Sequence, residues 1–475
     1  MNFYKIFFSL GLLFSLGTSF GQAKTAFTSR SITYDATYEL ALNNYQIYHP
    51  AQNSCNGWGT FTLTPFYQQS RKSSRLARYF LPNGKNSVSI REDGTGDIDS
   101  LWLNLIGPKG TDYSSDVRIC PKRRVYGAVV NLYTNLDCLL SNSWLSINSA
   151  ILGVEHDLHL REFNRTTYGT ISGFSDAHQA LNNQDLHFGR LAGCKLKRHG
   201  LDDIQVKLGY DYFFCNQDHA SIYLVGGIPT GHRRHDRHLF EPTVGSKHGA
   251  LGFGFNGDYT LPKVCNSNMV LMADVKYLHF FEANERRSFD LNNGDWSRFL
   301  QVATQNQPFL SQPAINLLSP CVRVKPRSLV EFWTALHYEW CNWNVEVGYN
   351  LWYRQAERIC LRNLDCLSNF GIFDIAQVCN LQAASASQAT IDQGLNGSNV
   401  APSDATFTPL TRSDINVHSA EHPRALSHKI YAAVGCDKTI CNYQTTLGLG
   451  GSYEFGQCRS ALDNWAVFAK LGIGF

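Results

Sequence analysis

Residues 343–354 read WNVEVGYNLWYR, and apolar and polar side chains alternate along them. One face of this stretch is apolar and consists of Trp343, Val345, Val347, Tyr349, Leu351 and Tyr353. The other face is polar or has no side chain and carries Asn344, Glu346, Gly348, Asn350 and Arg354. A period of two over about ten residues is typical of a transmembrane β-barrel strand, which meets lipid on one face and the lumen on the other.

The same alternation recurs along the chain and predicts about fourteen strands. They cover roughly 57–67, 86–92, 98–106, 122–135, 144–160, 204–214, 220–228, 249–259, 269–281, 328–340, 343–354, 426–435, 443–455 and 465–475. The connections are short after even-numbered strands and longer after odd-numbered ones, as expected for periplasmic turns and extracellular loops. We therefore expect an all-β fold, an antiparallel transmembrane outer-membrane β-barrel of about 14 strands (range 12–16) over residues 57–475.

The N-terminal residues indicate export. Residues 1–23 have the features of a secretory signal peptide: Lys5 near the start, an apolar run over 6–20 and small residues at 21–23. Residues 24–56 are interpreted as an N-terminal periplasmic segment. Alternation from Ile32 to Leu42 leaves open an extra strand or a plug of the barrel.

The composition excludes several classes of protein. Among 475 residues, 13% are aromatic and only 17% are charged, and the formal net charge is +3. A disordered chain would have fewer aromatic residues, and a polytopic helical membrane protein would need repeated long apolar runs. The small net charge gives no reason to expect a nucleic-acid partner.

The last predicted strand ends at the aromatic residue Phe475, and its apolar face begins at Trp465. This ending resembles the terminal signal that the bacterial barrel assembly machinery reads, so Trp465 and Phe475 are the predicted assembly signal. The final strand of a soluble β-domain is the alternative interpretation.

With its signal peptide, cysteine-bearing turns, strand–loop alternation and terminal strand, the chain resembles the major outer membrane protein porins of chlamydial and legionella type. The resemblance implies a channel for passive diffusion of small solutes that also strengthens the envelope. It implies outer-membrane lipid, lipopolysaccharide and the assembly machinery as partners, together with other copies of the chain or cysteine-rich envelope proteins. Residues 227–231, GIPTG, are similar to a segment of outer-membrane transporters for hydrophobic compounds, which is the alternative function.

The polar faces of the predicted strands supply the candidate pore lining. These residues are Lys207, Asp211, Asp274, Lys276, Glu331, His337, Glu339, Glu346, Arg354, Glu454 and Lys470. Both signs of charge are present, so strong ion selectivity does not follow. No cofactor or metal is expected.

Cysteines accompany the predicted periplasmic turns. The candidates for disulfide bonds are Cys138, Cys215, Cys265, Cys341, Cys436 and Cys441. Thiols on one rim would allow cross-links between chains, while reduced cysteines or local pairs are an equally good interpretation. In four of these turns Asn follows Cys, and Asn tolerates left-handed backbone angles.

Other functions have weaker support in the sequence. An outer-membrane enzyme would need a catalytic pair at the rim, and His156 and Asp157 have no serine motif near them; we expect no enzyme, and an adhesin is a further alternative. The cluster HRRHDRH at 232–238 interleaves arginine with histidine, which opposes a metal cation and favours an extracellular loop. Residues 382–406, within the long loop 355–425, are expected to be mobile or exposed.

Overall fold

The computed structural model describes residues 22–43, 59–92, 94–105, 113–166, 174–213, 218–232, 234–264, 267–361, 364–373, 385–393, 406–441, 443–457 and 459–475. Twelve long strands form a barrel. They are β1 (Gly59–Arg71), β2 (Lys122–Asn135), β3 (Ser143–Asp157), β4 (Ile204–Phe213), β5 (His219–Ile228), β6 (Ala250–Val264), β7 (Ser267–Phe280), β8 (Arg327–Trp340), β9 (Trp343–Arg354), β10 (Ala425–Ile440), β11 (Tyr443–Gly456) and β12 (Asp463–Gly474).

The barrel is a closed antiparallel meander. Each strand pairs with its neighbour in the sequence, and β12 pairs with β1 to complete the ring. At the closing seam the backbone N–H of Gly59 donates to the Phe475 carbonyl at 2.8 Å. An additional strand, Leu196–Leu201, precedes β4 and pairs with the same neighbour, β3. It pairs with residues 151–156 of β3, whereas β4 pairs with residues 143–148.

The outside of the barrel is apolar and the inside is polar. Exposed apolar side chains cover the outer faces of the strands, among them Leu208, Tyr212, Leu224, Phe253, Val347, Leu449 and Val467. On the inner faces, Lys276 and Glu331 are each 0% exposed. A soluble barrel would have the reverse distribution, with water outside and a packed apolar centre. The chain is therefore an outer-membrane β-barrel, with its outer belt in contact with lipid.

The expected strand number was too high by two, although 12 lies within the expected range. Residues 86–92 and 98–106 do not span the membrane. The first contains the strand Ser87–Arg91, and the second contains the strand Ile98–Asp99 and the 3-10 helix Ser100–Leu103. Val88 and Ile90 alternate with polar neighbours because they face a protein core outside the barrel, which gives the same pattern as contact with lipid.

The long loops fold together into a cap over one mouth of the barrel. Its helices are Ser73–Phe80, Ala177–Asn182 and Val417–Ala420, with 3-10 helices at Ser297–Phe299, Ala314–Asn316, Asp365–Asn369 and Arg412–Asp414. Its further strands are Ser114–Arg118, Arg161–Phe163, Ala283–Arg286, Asp290–Leu291, Gln301–Thr304, Gln307–Pro313, Cys321–Lys325, Arg358–Cys360, Phe370–Ile372 and Ile415–Asn416. Since long loops lie on the cell exterior in such barrels, the cap is extracellular.

The cap has a hydrophobic core of its own. Trp102, Trp296, Phe80 and Phe289 are each 0% exposed within it. Ser385, Ala386, Ala389 and Ile391 are also buried in the cap, so the expected exposure of 382–406 was wrong at these four positions; 382–384 and 394–405 lie outside the described residues. Among the described helices, none has the length and apolar character needed to cross a bilayer.

The opposite rim carries the short turns. Cys341 and Cys441, and not Asn342, have positive φ, at 56° and 53° for the two cysteines. The left-handed position was therefore assigned one residue too late in the 341–342 turn. Cys436 was expected in a turn but lies within β10, because that strand continues to Ile440 and pairs with β9 and β11 along its whole length.

Candidate functional site

Residues 24–43, here called the inner segment, run from the cap into the lumen of the barrel. They contain one short helix, α1 (Ala36–Leu40), and no β-strand. Asp35 caps this helix by accepting a hydrogen bond from the Thr37 backbone N–H at 3.1 Å. Nearly every residue from Ile32 to Asn43 is buried, although the segment has no sheet partner. The inner segment therefore occupies the space that would be the water channel of an open barrel.

The upper end of the inner segment is attached to the cap. Lys24 N donates to the Tyr79 carbonyl at 2.9 Å, and Thr25 N donates to the Ser419 carbonyl at 3.1 Å. Arg234 Nη1 donates to the Phe27 carbonyl at 3.1 Å. These contacts come from three different extracellular loops, so the cap and the inner segment form one packed unit.

Asp202 holds the middle of the inner segment to the barrel wall. Its Oδ2 accepts hydrogen bonds from Ser31 Oγ and from the backbone N–H groups of Ile32 and Thr33, each at 3.0 Å. Asp202 lies in the short link between strand Leu196–Leu201 and β4, both of which pair with β3, and it is 0% exposed. One carboxylate oxygen thus satisfies three donors of a segment that has no sheet partner of its own.

A buried charge network surrounds the start of α1. Arg30 lies 3.1 Å from Asp35 and 3.4 Å from Glu454, and it also contacts Glu331. Lys429 on β10 contacts Asp35. Arg30 and Asp35 belong to the inner segment, while the other three side chains belong to the wall. The network therefore joins the segment to strands β8, β10 and β11.

A second group of contacts holds the end of α1. Lys207 Nζ donates to Glu39 Oε1 at 2.6 Å. Lys470 Nζ donates to the carbonyls of Glu39 and Ala41, both at 2.7 Å, which places a cation at the C-terminal end of the helix. Glu346 accepts a hydrogen bond from Leu42 N at 3.2 Å.

Apolar contacts complete the packing of the inner segment. The Tyr38 ring lies with its centroid 4.6 Å from that of Phe66 on β1 and 6.0 Å from that of Phe468 on β12. These aromatic residues belong to a small core that also includes Ile32 and Leu42. The lumen is therefore filled by charged and apolar contacts together.

The structure brings most of the predicted pore-lining residues to the inner face of the barrel. Those in direct contact with the inner segment are Lys207, Lys276, Glu331, Glu346, Glu454 and Lys470. The others bind one another or the wall: Asp211 with Trp144, Asp274 with Tyr223, His337 with Glu346 and Glu339, and Arg354 with Glu357. The expected open lumen was wrong at these levels, because charges of both signs pair with the inner segment. It stays a prediction that these residues line a passage once the inner segment has moved out of the lumen.

The sequence missed the contacts that matter most to this arrangement. Arg30, Asp35, Glu39, Asp202 and Lys429 were not among the candidate residues. Lys429 carried a usable signal, because it alternates with apolar residues of β10. The other four lie outside the barrel strands, where alternation gives no information.

The remaining candidates have less distinctive surroundings. Within the described residues Cys138, Cys341, Cys436 and Cys441 form no disulfide bond, and Cys215 and Cys265 lie outside them. In the part of the chain that the structure describes, no three His, Cys, Asp or Glu side chains are grouped so that they could hold a metal ion.

His156 and the 232–238 cluster, which the sequence analysis considered for catalysis and for metal binding, are both packed against other parts of the chain. The His156 ring stacks on Phe240 with centroids 4.0 Å apart. In the 232–238 cluster, Arg234 and Asp236 are buried and paired at 3.0 Å, so this loop is anchored in the cap.

A cavity of about 60 Å³ lies between the cap and the inner segment. Arg123, Asp202, His248 and Glu285 are among its lining residues. This volume holds a few water molecules and no larger solute.

No protein-family model and no curated protein matches the chain. Among solved structures, it is similar to an outer membrane channel from Pseudomonas putida F1, with 9% identity, a TM-score of 0.39, and coverage of 89% of this chain and 97% of that chain. It is also similar to a Pseudomonas aeruginosa FadL homologue, with 7% identity, a TM-score of 0.30, and coverage of 96% and 99%. A variant of the TodX monoaromatic hydrocarbon channel has 7% identity, a TM-score of 0.27, and coverage of 88% and 90%. Likenesses at this level identify no substrate.

Proposed function

We propose that the protein is a selective outer-membrane transporter for small apolar molecules, closed at rest by its inner segment. The observation that carries the proposal is the filled lumen, where Arg30, Asp35 and Glu39 pair with charges of the wall. A general porin needs a permanent water-filled passage. Here solutes can pass only after the inner segment moves.

Two features favour apolar molecules over polar solutes. The cap shields the mouth of the barrel with a core that contains Trp102, Trp296 and Phe299. The cap also contains a cleft whose lining includes the apolar residues Leu101, Phe174 and Phe373. Passive diffusion of polar solutes, and membership of the chlamydial type of porin, stay predictions from the sequence with no support in this geometry.

Conductance across a planar bilayer tests the proposal. The unchanged protein is expected to show rare or no conductance steps, because the ion pairs hold the inner segment in place. The double variant Asp35→Asn with Glu39→Gln removes both carboxylates of the segment that pair with lysines of the wall, and it is expected to show frequent stable steps.

A matched control removes a carboxylate elsewhere. Asp116→Asn breaks the half-buried cap pair of Arg91 and Asp116, 2.8 Å apart, and should leave conductance unchanged. Steady conductance of the unchanged protein, with swelling of proteoliposomes in small sugars, would instead establish a general porin.

A further inference from the structure

Three cations surround one carboxylate on the outer face of the barrel, at the end of the strands next to the cap. Arg124 Nη1 on β2 lies 2.6 Å from Glu155 Oε1 on β3. On the additional strand, Lys197 Nζ lies 3.6 Å from Glu155 Oε2, and the Nζ of Lys195, just before that strand, lies 3.9 Å from Glu155 Oε1. One cation would be enough to neutralise Glu155, so this group has an excess of positive charge.

The cations of this group are accessible from outside the barrel. The side chains of Lys195 and Lys197 are 52% and 56% exposed, and that of Arg124 is 30% exposed, whereas Glu155 is nearly buried. Ion pairs with this much exposure contribute little to the stability of a fold. The stability of the barrel therefore gives little reason for three cations at one carboxylate.

Two further cations extend the group along the same outer face. Gln69 of β1 pairs with Arg124 in the register, and two residues closer to the cap on these strands lie Arg71, which is exposed, and Lys122, which is half-buried. Asp157 pairs with Lys122 and adds a second carboxylate. The five cations, here called the basic patch, are Arg71, Lys122, Arg124, Lys195 and Lys197. They outnumber the two carboxylates, so the basic patch complements an anion.

Aromatic side chains lie next to the basic patch, on the side of the lipid belt. Tyr126 is two residues from Arg124 along β2, and its ring makes an edge contact with that of His199, with centroids 5.9 Å apart. On β1, Tyr67 pairs with Tyr126 in the register and packs on Trp465, with ring centroids 5.6 Å apart. Aromatic residues form such girdles where barrel strands leave the hydrocarbon core of the membrane.

The outward-facing residues beyond these aromatic side chains are apolar. Ile151 on β3 and Leu201 on the additional strand pair in the register and are 61% and 39% exposed. Glu155 and Lys197 pair four residues closer to the cap on the same two strands. At about 3.3 Å per residue, the two pairs are roughly 13 Å apart along the strands. One stretch of wall therefore offers an apolar surface and, beyond an aromatic girdle, a group of cations.

We propose that the basic patch binds the phosphate groups of lipopolysaccharide, while acyl chains of the same molecule lie against Ile151 and Leu201. Arginine and lysine donate strong, charge-assisted hydrogen bonds to phosphate oxygens. The cap is extracellular, so the basic patch lies at the outer leaflet, where lipopolysaccharide is the phosphorylated lipid. This binding site does not depend on whether the lumen opens, and it is therefore independent of the proposed function.

Binding is measured by native mass spectrometry of the full chain in detergent micelles. The matched probes are bisphosphorylated lipid A and monophosphorylated lipid A with the same acyl chains. The bisphosphorylated form is expected to bind more tightly, and added salt should weaken its binding because exposed charges are screened. The triple variant Arg124→Gln, Lys195→Gln and Lys197→Gln should weaken its binding about tenfold or more, since each cation near an anionic lipid surface contributes about fivefold.

A second triple variant is the matched control. Lys85→Gln, Arg412→Gln and Lys438→Gln remove the same number of charges at exposed positions outside the basic patch, and the affinity should stay unchanged. Heat-modifiable mobility on gels verifies that both triple variants form the barrel. Equal affinity of the two triple variants would overturn the proposal, because binding would then not depend on where the cations lie.

Glu155→Gln gives a test of opposite sign. It removes the carboxylate that competes with phosphate for Arg124, Lys195 and Lys197, so lipid A affinity should rise about twofold or more. Asp185→Asn removes an exposed carboxylate elsewhere in the cap and should have no effect. Unchanged or weaker binding by the Glu155→Gln variant would overturn the proposal. Displacement of lipid A by an equimolar amount of inorganic phosphate would also overturn it, since the apolar wall would then contribute nothing.

Discussion

Lys207 on β4 donates a hydrogen bond to Glu39 of the inner segment at 2.6 Å, and both side chains are nearly inaccessible, at 5% and 3% exposure. The pair connects the wall of the barrel to the segment that fills it. Removing one partner of a buried ion pair leaves an uncompensated charge and typically costs about 3–5 kcal/mol. The pair is therefore a suitable point at which to release the segment.

We expect Glu39→Lys and Lys207→Glu, each alone, to open the lumen, because each places two like charges together in a buried space. The double variant restores opposite charges and is expected to return conductance toward that of the unchanged protein. Single-channel recording in planar bilayers is the measurement. Closed behaviour of both single variants would show that this pair does not hold the segment.

Asp202→Ala is expected to loosen the middle of the inner segment. The change removes the acceptor of Ile32 N and Thr33 N, at about 1–3 kcal/mol for each orphaned N–H. Arg30, 9% exposed in the folded protein, should then become a site of cleavage by trypsin. Limited proteolysis followed by mass spectrometry detects the cut. Asp116→Ala serves as the control, and equal resistance of both variants would argue against anchoring by Asp202.

The cap should lose stability in acid through Glu285. Burial raises the pKa of this carboxyl, but the charge of Arg287 and the hydrogen bond from His248 outweigh burial and lower its pKa from 4.5 to about 2. Because the folded pKa is below the unfolded one, the stabilisation is present above about pH 4.5 and is lost as the pH falls toward 2. It amounts to about 3 kcal/mol.

Thermal unfolding followed by tryptophan fluorescence between pH 2 and 6 measures this loss. Glu285→Gln should flatten the dependence on pH, whereas Glu282→Gln, at an exposed pair with Lys325, should retain it. A pH profile of the Glu285→Gln variant that matches the unchanged protein would contradict the assignment.

Cysteine accessibility tests the orientation of the barrel. Cys321 and Cys360 are exposed in the cap, whereas Cys341 and Cys441 are exposed on the rim of the short turns. In intact cells, a maleimide that does not cross membranes should label single-cysteine variants that retain Cys321 or Cys360. Variants that retain Cys341 or Cys441 should react only after the outer membrane is permeabilised. The reverse pattern would place the short turns outside the cell.

The strands of the barrel were largely predictable from the sequence because one face of each strand meets lipid and the other meets a polar interior. In β9, lipid on one side and a polar interior on the other impose a period of two on residues 343–354. Strand Ser87–Arg91 shows the same alternation as a barrel strand. Its apolar residues Val88 and Ile90 pack into the cap core, where a strand with one buried face has the same pattern as one that faces lipid. Alternation by itself does not distinguish these two apolar surroundings.

The antiparallel barrel and the positions of nearly all of its strands follow from the residue pattern, because alternation is a local property of each strand. The filling of the lumen does not follow from that pattern. The contacts that fill it join Glu39 to Lys207 and Asp35 to Lys429, residues 168 and 394 positions apart in the chain. Pairing at such separations depends on which side chains the closed barrel brings face to face, and no local pattern of residues records that.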